Sequence, residues 1–370
     1  MLVLGIETSC DETAFGLVED GRLVGEAVAS QADVHALFGG VVPELASREH
    51  YRILGPLFDD FLQKSGVTLA SLDAVAVARG PGLLGSLLVG VAFAKSLAFG
   101  AGIPLIGIDH LRAHILAPGL ERELNFPAIG LLVSGGHTHI YYLESPYSFE
   151  LMGKTLDDAA GEAFDKVAKM LGLPYPGGRY LDRLAKAGQI KCNLFTYPYL
   201  DNSNLDFSFS GLKTALSSYI LANPDLKKQV AALPLSFDEL AAQQDFASVR
   251  QLTELCASFN HCVVHTLCVK VQRALQQLQA KGKKVNSLIV AGGVAANSML
   301  RQQAENLAEK NSLELVLPAF SLCTDNGAMI AYAGYLMLKK GHVHNLDLEA
   351  LARGRIIPED FVPLQESVNA

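Results

Sequence analysis

The chain has 370 residues, of which 50% are hydrophobic and 18% charged. This apolar content suits two packed lobes and excludes a long disordered protein. With 30 Lys and Arg against 38 Asp and Glu, the formal charge of −8 argues against broad, charge-driven binding of nucleic acid, so any RNA contact must be a local patch or be helped by partner proteins.

Cysteine usage and the apolar segments predict a cytoplasmic protein. The six cysteines stand at irregular spacings without a C-x-x-C unit, which is typical of reduced thiols. The apolar start is short and lacks a basic flank, so no signal peptide is expected. The longest apolar stretch, Leu83 to Ala94, is too short for a bilayer span and is followed by Lys95, so no membrane role is predicted.

The first 108 residues predict a β-meander followed by alternating helices and strands. Strands are expected at 2–7, 14–19 and 23–29, then at 73–78 and 103–108. Pro43 begins a helix that ends near Gly66, and the GPGLLG turn leads into a helix at about 83–99.

A second meander begins at Pro127, with strands at 128–133 and 139–143 joined by SGGHT. Strands at 287–290 and 313–317, a helix at 298–308 and a final long helix after CTDNG follow. The repeated layout predicts two related α/β lobes with ligands in a cleft between them. The polar segment 223–260 is helical in pattern, which favours a surface insertion over the alternative of a partner-docking site.

His110 and His114, in DHLRAHILAP, are spaced i and i+4, so that both imidazoles would lie on one helical face and could chelate a metal. Asp325, in CTDNG, is a candidate third ligand, with a helix N-cap as the alternative. A zinc-protease mechanism lacks its general base, because Leu111 stands where H-E-x-x-H needs a Glu.

Several turns carry small or acidic residues that suit a nucleotide-like ligand. The LVSGGHT and AGGVAAN turns let a ligand approach the backbone closely, although ordinary turns have the same composition. Asp11 and Glu12 in ETSCDET could hold a cation or accept a proton, or be solvated turn residues. Asp165 lies in an amphipathic helix, where it could be part of a solvated face, and Asp182 follows the Pro-Gly-Gly turn at 176–178.

Taken together, these segments resemble the TsaD (Gcp/YgjD) family, in order and over most of the chain. The matching pieces are LGIETSCDET, FGGVVPELASREH, GPGLLGSLLVG, HLRAH, LLVSGGHT, DDAAGEAFDKVAKMLGLPYPGG, LDFSFSGLKT, VAGGVAAN and CTDNGAMIAYAG. The resemblance implies an actin-like (ASKHA, Hsp70 and sugar-kinase type) α/β fold with duplicated lobes. We expect lobe I at 1–108, completed by a helix at about 325–345, lobe II at 109–324 with the 223–260 insertion, and a tail at 346–370.

The resemblance also implies roles for individual residues. His110, His114 and Asp325 match the metal ligands of the family, which hold iron or zinc. The substrate-binding positions match Leu132, Val133, Ser134, Gly135, Gly136, Asp165, Gly178, Asp182 and Asn297. Asp11 and Glu12 match acidic positions near the reaction centre, and both are candidate catalytic residues.

By resemblance, the activity is transfer of threonylcarbamoyl from threonylcarbamoyl-AMP to N6 of adenosine 37 of tRNAs that read codons beginning with A. The expected cofactor is one divalent ion, Fe²⁺ or Zn²⁺. Expected partners are tRNA, TsaB-like and TsaE-like proteins, and a TsaC-like enzyme that supplies the adenylate. Alternatives are an ATPase or kinase of the same superfold, a metalloprotease, and a non-enzymatic scaffold.

The sequence departs from the family in two places. The spacer between LDFSFSGLKT and VVHTLCVKVQRAL is longer than usual, which bears on partner docking. A proline–arginine step of the family is replaced here by Tyr197-Pro198-Tyr199, which bears on an RNA contact.

Overall fold

The computed structural model describes residues 1–234 and 236–367. The chain forms two compact units, one of Met1–Leu124 with Pro318–Ala370 and the other of Asn125–Leu317. The sequence prediction ended the first lobe at residue 108 and set 346–370 apart as a tail. The structure divides the chain differently, because the segment after residue 108 and the C-terminal segment both pack within the first unit.

Strands and helices occur in both units. The strands are β1 (Leu2–Glu7), β2 (Glu12–Glu19), β3 (Arg22–Ser30), β4 (Ala74–Gly80), β5 (Leu105–Asp109), β6 (Ala128–Val133), β7 (Thr138–Ser145), β8 (Ser148–Lys154), β9 (Ser287–Ala291), β10 (Glu314–Val316), β11 (His342–Val343) and β12 (Val362–Pro363). The α-helices are α1 (Ala32–Ala36), α2 (Pro43–Ser65), α3 (Leu84–Ala101), α4 (His110–Leu116), α5 (Ala160–Leu171), α6 (Gly178–Ala185), α7 (Ser210–Ala222), α8 (Asp225–Ala231), α9 (Phe237–Ala242), α10 (Arg250–Ala280), α11 (Ser298–Lys310), α12 (Gly327–Lys339) and α13 (Leu364–Ser367). Strand β8 was not predicted from the sequence.

Each unit is built on a five-stranded sheet, and the two sheets share one strand order. In the first unit the order is β3-β2-β1-β4-β5, with β1 antiparallel to β2 and parallel to β4. In the second it is β8-β7-β6-β9-β10, with β6 antiparallel to β7 and parallel to β9. A meander followed by two parallel strands therefore occurs twice, which confirms the predicted duplication of an α/β lobe.

Helix α12 packs directly on the first sheet because glycines leave room for it. Gly5 and Gly16 are paired across β1 and β2. A Cβ atom on Gly5 would lie 2.3 Å from backbone atoms of Gly327 and Ala331, and one on Gly16 would lie 2.4 Å from backbone atoms of the same helix. This approach, which only glycine permits, holds the beginning of α12 in place, and α12 also packs against α4.

Helix α3 extends beyond the apolar stretch, Leu83 to Ala94, that the sequence analysis judged too short for a bilayer span. Its 18 residues have a mean hydropathy of 1.6, so by length and composition alone it could cross a membrane. The prediction that no stretch is long enough is therefore wrong. Because Val91, Ala94 and Ala98 pack in the apolar core of the first unit with side chains of α2 and β4, length and hydropathy are weak evidence for a span.

The C-terminal segment is tied to the first sheet by Arg79, which is only 2% exposed. The Arg79 guanidinium donates hydrogen bonds to the two carboxylate oxygens of Asp360 at 2.5 and 3.2 Å. The Leu351 backbone N–H donates to the Arg79 carbonyl at 2.7 Å. Because a buried guanidinium needs such partners, the segment belongs to the core of this unit and is not a separate tail.

In the second unit, the segment 223–260 is helical, as the sequence predicted. It contains α8 and α9, whose Leu226 and Leu240 are fully buried, and the beginning of the long helix α10. Since α10 also buries Leu252 and Phe259, this segment contributes to the core and is not confined to the surface. The amphipathic helix predicted around Asp165 is confirmed, because the apolar residues of this segment are all buried, namely Ala159, Ala160, Ala163, Phe164, Val167 and Ala168.

Candidate metal centre and substrate loop

Helix α4 begins where β5 ends. The carboxyl ends of the parallel strands β1, β4 and β5 all lie at this edge of the sheet. Asp109 is its N-cap, because its Oδ1 accepts hydrogen bonds from the backbone N–H groups of Leu111 and Arg112 at 2.8 and 3.3 Å. His110 and His114 follow on adjacent turns with ring centroids 4.6 Å apart. The i, i+4 spacing therefore places both imidazoles together, as predicted.

Asp325 joins this pair from the loop before α12. Its Oδ1 lies 2.9 Å from His114 Nε2 and 3.6 Å from His110 Nε2. Candidate ligand atoms of the three residues all lie within 4.8 Å of one another. Asn326 is the N-cap of α12, since its side chain accepts a hydrogen bond from the Met329 N–H at 2.8 Å. The alternative that Asp325 is the helix cap is therefore wrong.

This donor set fits a divalent cation. Two imidazole nitrogens and a carboxylate oxygen suit Zn²⁺ or Fe²⁺, with bonds of about 2.0–2.2 Å. Ligand atoms on a tetrahedral ion of that size are about 3.3 Å apart. The two measured separations, 2.9 and 3.6 Å, lie on either side of that value. Three protein ligands leave one position open, which is typical of catalytic zinc sites.

The carboxylates around His110 favour its protonated form. Burial by itself lowers the pKa of His110, but the negative charges of Glu7 and Asp325 outweigh this effect and raise it to about 9. A cation that binds at neutral pH must therefore displace a proton from this imidazole.

The acidic turn after β1 lies within electrostatic reach of the same aspartate. Asp11 is buried, and Glu12 is partly buried at the beginning of β2. Burial, together with the negative charges of Asp11 and Asp325, raises the pKa of Glu12 to about 10. Glu12 thus interacts through its charge with both Asp11 and Asp325, and the burial of the two acids argues against the alternative of solvated turn residues.

Sequence alone did not indicate His50, which holds this turn from α2. Its Nε2 donates to the Cys10 carbonyl at 2.9 Å, so its Nδ1 accepts from the Thr13 hydroxyl at 2.8 Å. The side chain is fully buried, and burial lowers its pKa. The motif FGGVVPELASREH ends on this residue, but no spacing along the chain shows that α2 brings it to the acidic turn.

In the second unit, residues 132–136 end β6 and form the hairpin to β7. A Cβ atom on Gly135 or Gly136 would meet nothing within 4 Å, so protein atoms do not fill the space beside these two glycines. Gly161 anchors the loop to α5, because its N–H donates to the Ser134 carbonyl at 3.2 Å. A Cβ on Gly161 would lie 2.5 Å from that carbonyl oxygen, so glycine is required there.

The other predicted substrate residues belong to α5, α6 and the N-cap of α11, namely Asp165, Gly178, Asp182 and Asn297. Asp165 Oδ1 accepts a hydrogen bond from the Gly177 N–H at 2.8 Å, which joins α5 to the turn before α6. Asp182 Oδ1 accepts from the N–H and hydroxyl of Ser298 at 3.1 and 2.8 Å, which joins α6 to α11. The loop 132–136 and these four residues are therefore linked within one unit through short contacts.

Comparisons with known proteins agree with this description. The family profile described as TsaD: tRNA N6-adenosine threonylcarbamoyltransferase matches residues 22–332. A protein of that enzyme name from Nitratidesulfovibrio vulgaris (strain DP4) is 61% identical over 98% of each chain. Another, from Maridesulfovibrio salexigens, is 55% identical over 98% of this chain and 99% of its own.

Among solved structures, full-length HypF in a phosphate- and nucleotide-bound form matches 92% of this chain and 46% of its own, with a TM-score of 0.52. At 14% identity this likeness concerns the fold alone. Together with the duplicated sheets, it agrees with the expected actin-like class. The family profile matches most of this chain, and the two relatives match nearly all of it. The chain therefore belongs to the TsaD family.

Proposed function

We propose that this protein transfers the threonylcarbamoyl group of threonylcarbamoyl-AMP to N6 of the adenosine beside the anticodon of tRNA. The observation that carries the proposal is near-full-length identity of 61% to a tRNA N6-adenosine threonylcarbamoyltransferase. The grouping of His110, His114 and Asp325 supports it independently. The kinase and protease alternatives are not favoured by these relatives, and the protease also lacks its Glu at Leu111.

In the proposed reaction, the N6 lone pair forms a bond to the carbamoyl carbon while the bond from that carbon to the phosphate oxygen breaks. AMP leaves with the electron pair, and N6 loses a proton. His110, His114 and Asp325 would hold Fe²⁺ or Zn²⁺, which would supply positive charge near the carbonyl oxygen. Since an exocyclic adenine amine is a weak nucleophile, positioning and charge stabilisation contribute more than a strong base.

The chain's own residues divide the remaining roles. The unfilled space beside Gly135 and Gly136 suits the phosphate of AMP, and the residues around Asp182 suit its adenosine. A cation at Asp325 would lower the pKa of Glu12 and restore its negative charge. Asp11 and Glu12 are therefore both proposed as acceptors of the N6 proton.

The test uses full-length protein, tRNA and labelled threonylcarbamoyl-AMP, with metal content measured on anaerobically purified protein. A His110→Ala, His114→Ala double variant is expected to lose both the metal and transfer. His261 and His265 on α10 have the same i, i+4 spacing, with ring centroids 5.7 Å apart, so their double alanine variant is a matched control that should keep the metal. Full transfer by the first variant contradicts the metal role, and steady ATP turnover without tRNA supports the kinase alternative.

We further propose that tRNA binding needs partner proteins of the TsaB and TsaE type, with a TsaC-like enzyme as the source of the adenylate. The formal charge of −8 supports this, because phosphate contacts need clustered Lys and Arg. A salt titration of tRNA binding, with and without such partners, checks the idea. Tight binding by the chain alone contradicts it.

A further inference from the structure

Glu7, the last residue of β1, is a carboxylate with no exposed surface. Its Oε1 accepts a hydrogen bond from the Ser9 backbone N–H at 2.5 Å, and its Oε2 lies 2.8 Å from His110 Nδ1. Burying a carboxylate is costly unless it is paired and hydrogen-bonded. Both oxygens of Glu7 are used in this way, and one of them meets a residue of the metal-binding group.

In the neutral imidazole that can bind a metal, the contact with Glu7 decides which nitrogen of His110 carries the proton. An ionised carboxylate only accepts hydrogen bonds, so the Nδ1 of His110 must be the donor. The Ser9 hydroxyl lies 3.2 Å from the same Nδ1. On the other side of the ring, Nε2 faces Asp325 Oδ1 at 3.6 Å. The geometry therefore directs Nε2 toward the other ligands.

His114 differs from His110 in the surroundings of its Nδ1 atom. Its Nε2 lies 2.9 Å from Asp325 Oδ1, but its buried Nδ1 has no hydrogen-bond partner within residues 1–234 and 236–367. Among the described residues, a carboxylate therefore contacts the Nδ1 atom of His110 but not that of His114. Metal-binding histidines are commonly oriented through the second ring nitrogen by a carboxylate, which fixes the tautomer and increases the basicity of the ligand.

We propose that Glu7 is a positioning residue of the metal centre, which holds His110 in the tautomer and orientation that present Nε2 to a divalent cation. This inference rests on the proposed metal role and extends it to a residue outside the ligand set. Glutamine cannot replace Glu7, because the Ser9 N–H and the His110 Nδ1–H are both donors and an amide has one accepting atom.

The experiment measures binding of Co²⁺ and Zn²⁺ to the full-length protein by competition with a chelator, together with the visible spectrum of bound Co²⁺. Glu7→Gln is expected to weaken binding about 10–100-fold and to alter the Co²⁺ spectrum. Thr8→Val is the matched control, since Thr8 is also buried in this turn but donates to the Ser86 carbonyl at 3.0 Å. It should keep the affinity and spectrum of the wild type.

A measurement on the wild type covers the case in which Glu7→Gln does not fold. In the Zn²⁺-loaded protein, long-range ¹H–¹⁵N NMR should show His110 protonated at Nδ1 and bound to metal through Nε2. Metal bound at Nδ1, or a Glu7→Gln variant with wild-type affinity and spectrum, overturns the role of Glu7 alone. Failure of the wild type to bind either ion overturns the proposed metal role as well.

Discussion

Replacement of Gly5 by alanine tests whether α12 must lie directly on the first sheet to complete the metal-binding group. The added Cβ would lie 2.3 Å from the Gly327 carbonyl oxygen and the Ala331 N. Ordinary contacts are about 3.5–4.0 Å, so the helix must move away by about 1 Å or more. Overpacking of this kind costs about 3 kcal/mol, the upper part of its usual range. Asp325, just before α12, should be displaced with it.

For a unit of this size, that cost lowers the melting temperature by about 6–12 °C. Thermal unfolding followed by circular dichroism measures the change, and chelator competition with Zn²⁺ measures the affinity of the displaced site. Gly100→Ala is the matched control, because a Cβ on Gly100, within α3, meets nothing within 4 Å. That variant should be stabilised by about 0.5–1 kcal/mol, as expected for Gly to Ala in a helix.

A Gly5→Ala variant that melts within about 2 °C of the wild type, less than a 1 kcal/mol cost would give, contradicts the close packing of α12 on the sheet. A large loss of stability with unchanged Zn²⁺ affinity is a separate result. It would mean that α12 packing stabilises the unit without positioning Asp325.

Two further predictions concern the second unit. Burial and a neighbouring lysine lower the pKa of His139 to about 4, so its stabilising contribution is present above pH 6.5 and is lost as the pH falls toward 4. Denaturant unfolding at several pH values measures the free energy of unfolding over this range. The wild type should lose on the order of 1–3 kcal/mol more of this free energy than His139→Asn, and equal losses would contradict the lowered pKa of His139. Gly161→Ala should displace the Ser134 carbonyl and raise KM for threonylcarbamoyl-AMP without changing Zn²⁺ affinity. An unchanged KM would contradict a role of this loop in binding the substrate.

Local patterns in the sequence predicted most of the elements and the two repeated lobes. Helix α2 begins at Pro43 and ends before Gly66, which has the left-handed backbone that favours glycine. The i, i+4 spacing was enough to place His110 and His114 on one helical face. These predictions depend on neighbours along the chain, which is why a single sequence was sufficient.

Contacts between distant segments could not be predicted in the same way. The C-terminal segment was expected to be a tail, but it satisfies the buried Arg79 through Asp360. His50 was not expected at the acidic turn, since its partners Cys10 and Thr13 come from another part of the chain. Such contacts follow from how elements pack, and residue spacing carries no information about packing partners.

By itself, then, the sequence determined the periodic elements, the caps and turns, and the pair of histidines, because these follow from backbone geometry over a few residues. Tertiary structure alone decided that the Asp325 oxygen lies 2.9 Å from His114 and that buried Glu7 contacts His110. Both facts depend on α12 lying against glycines of the first sheet and on the parallel strands β1 and β5 ending at the same edge of that sheet. Burial then makes these charges interact strongly, since little water is left to screen them.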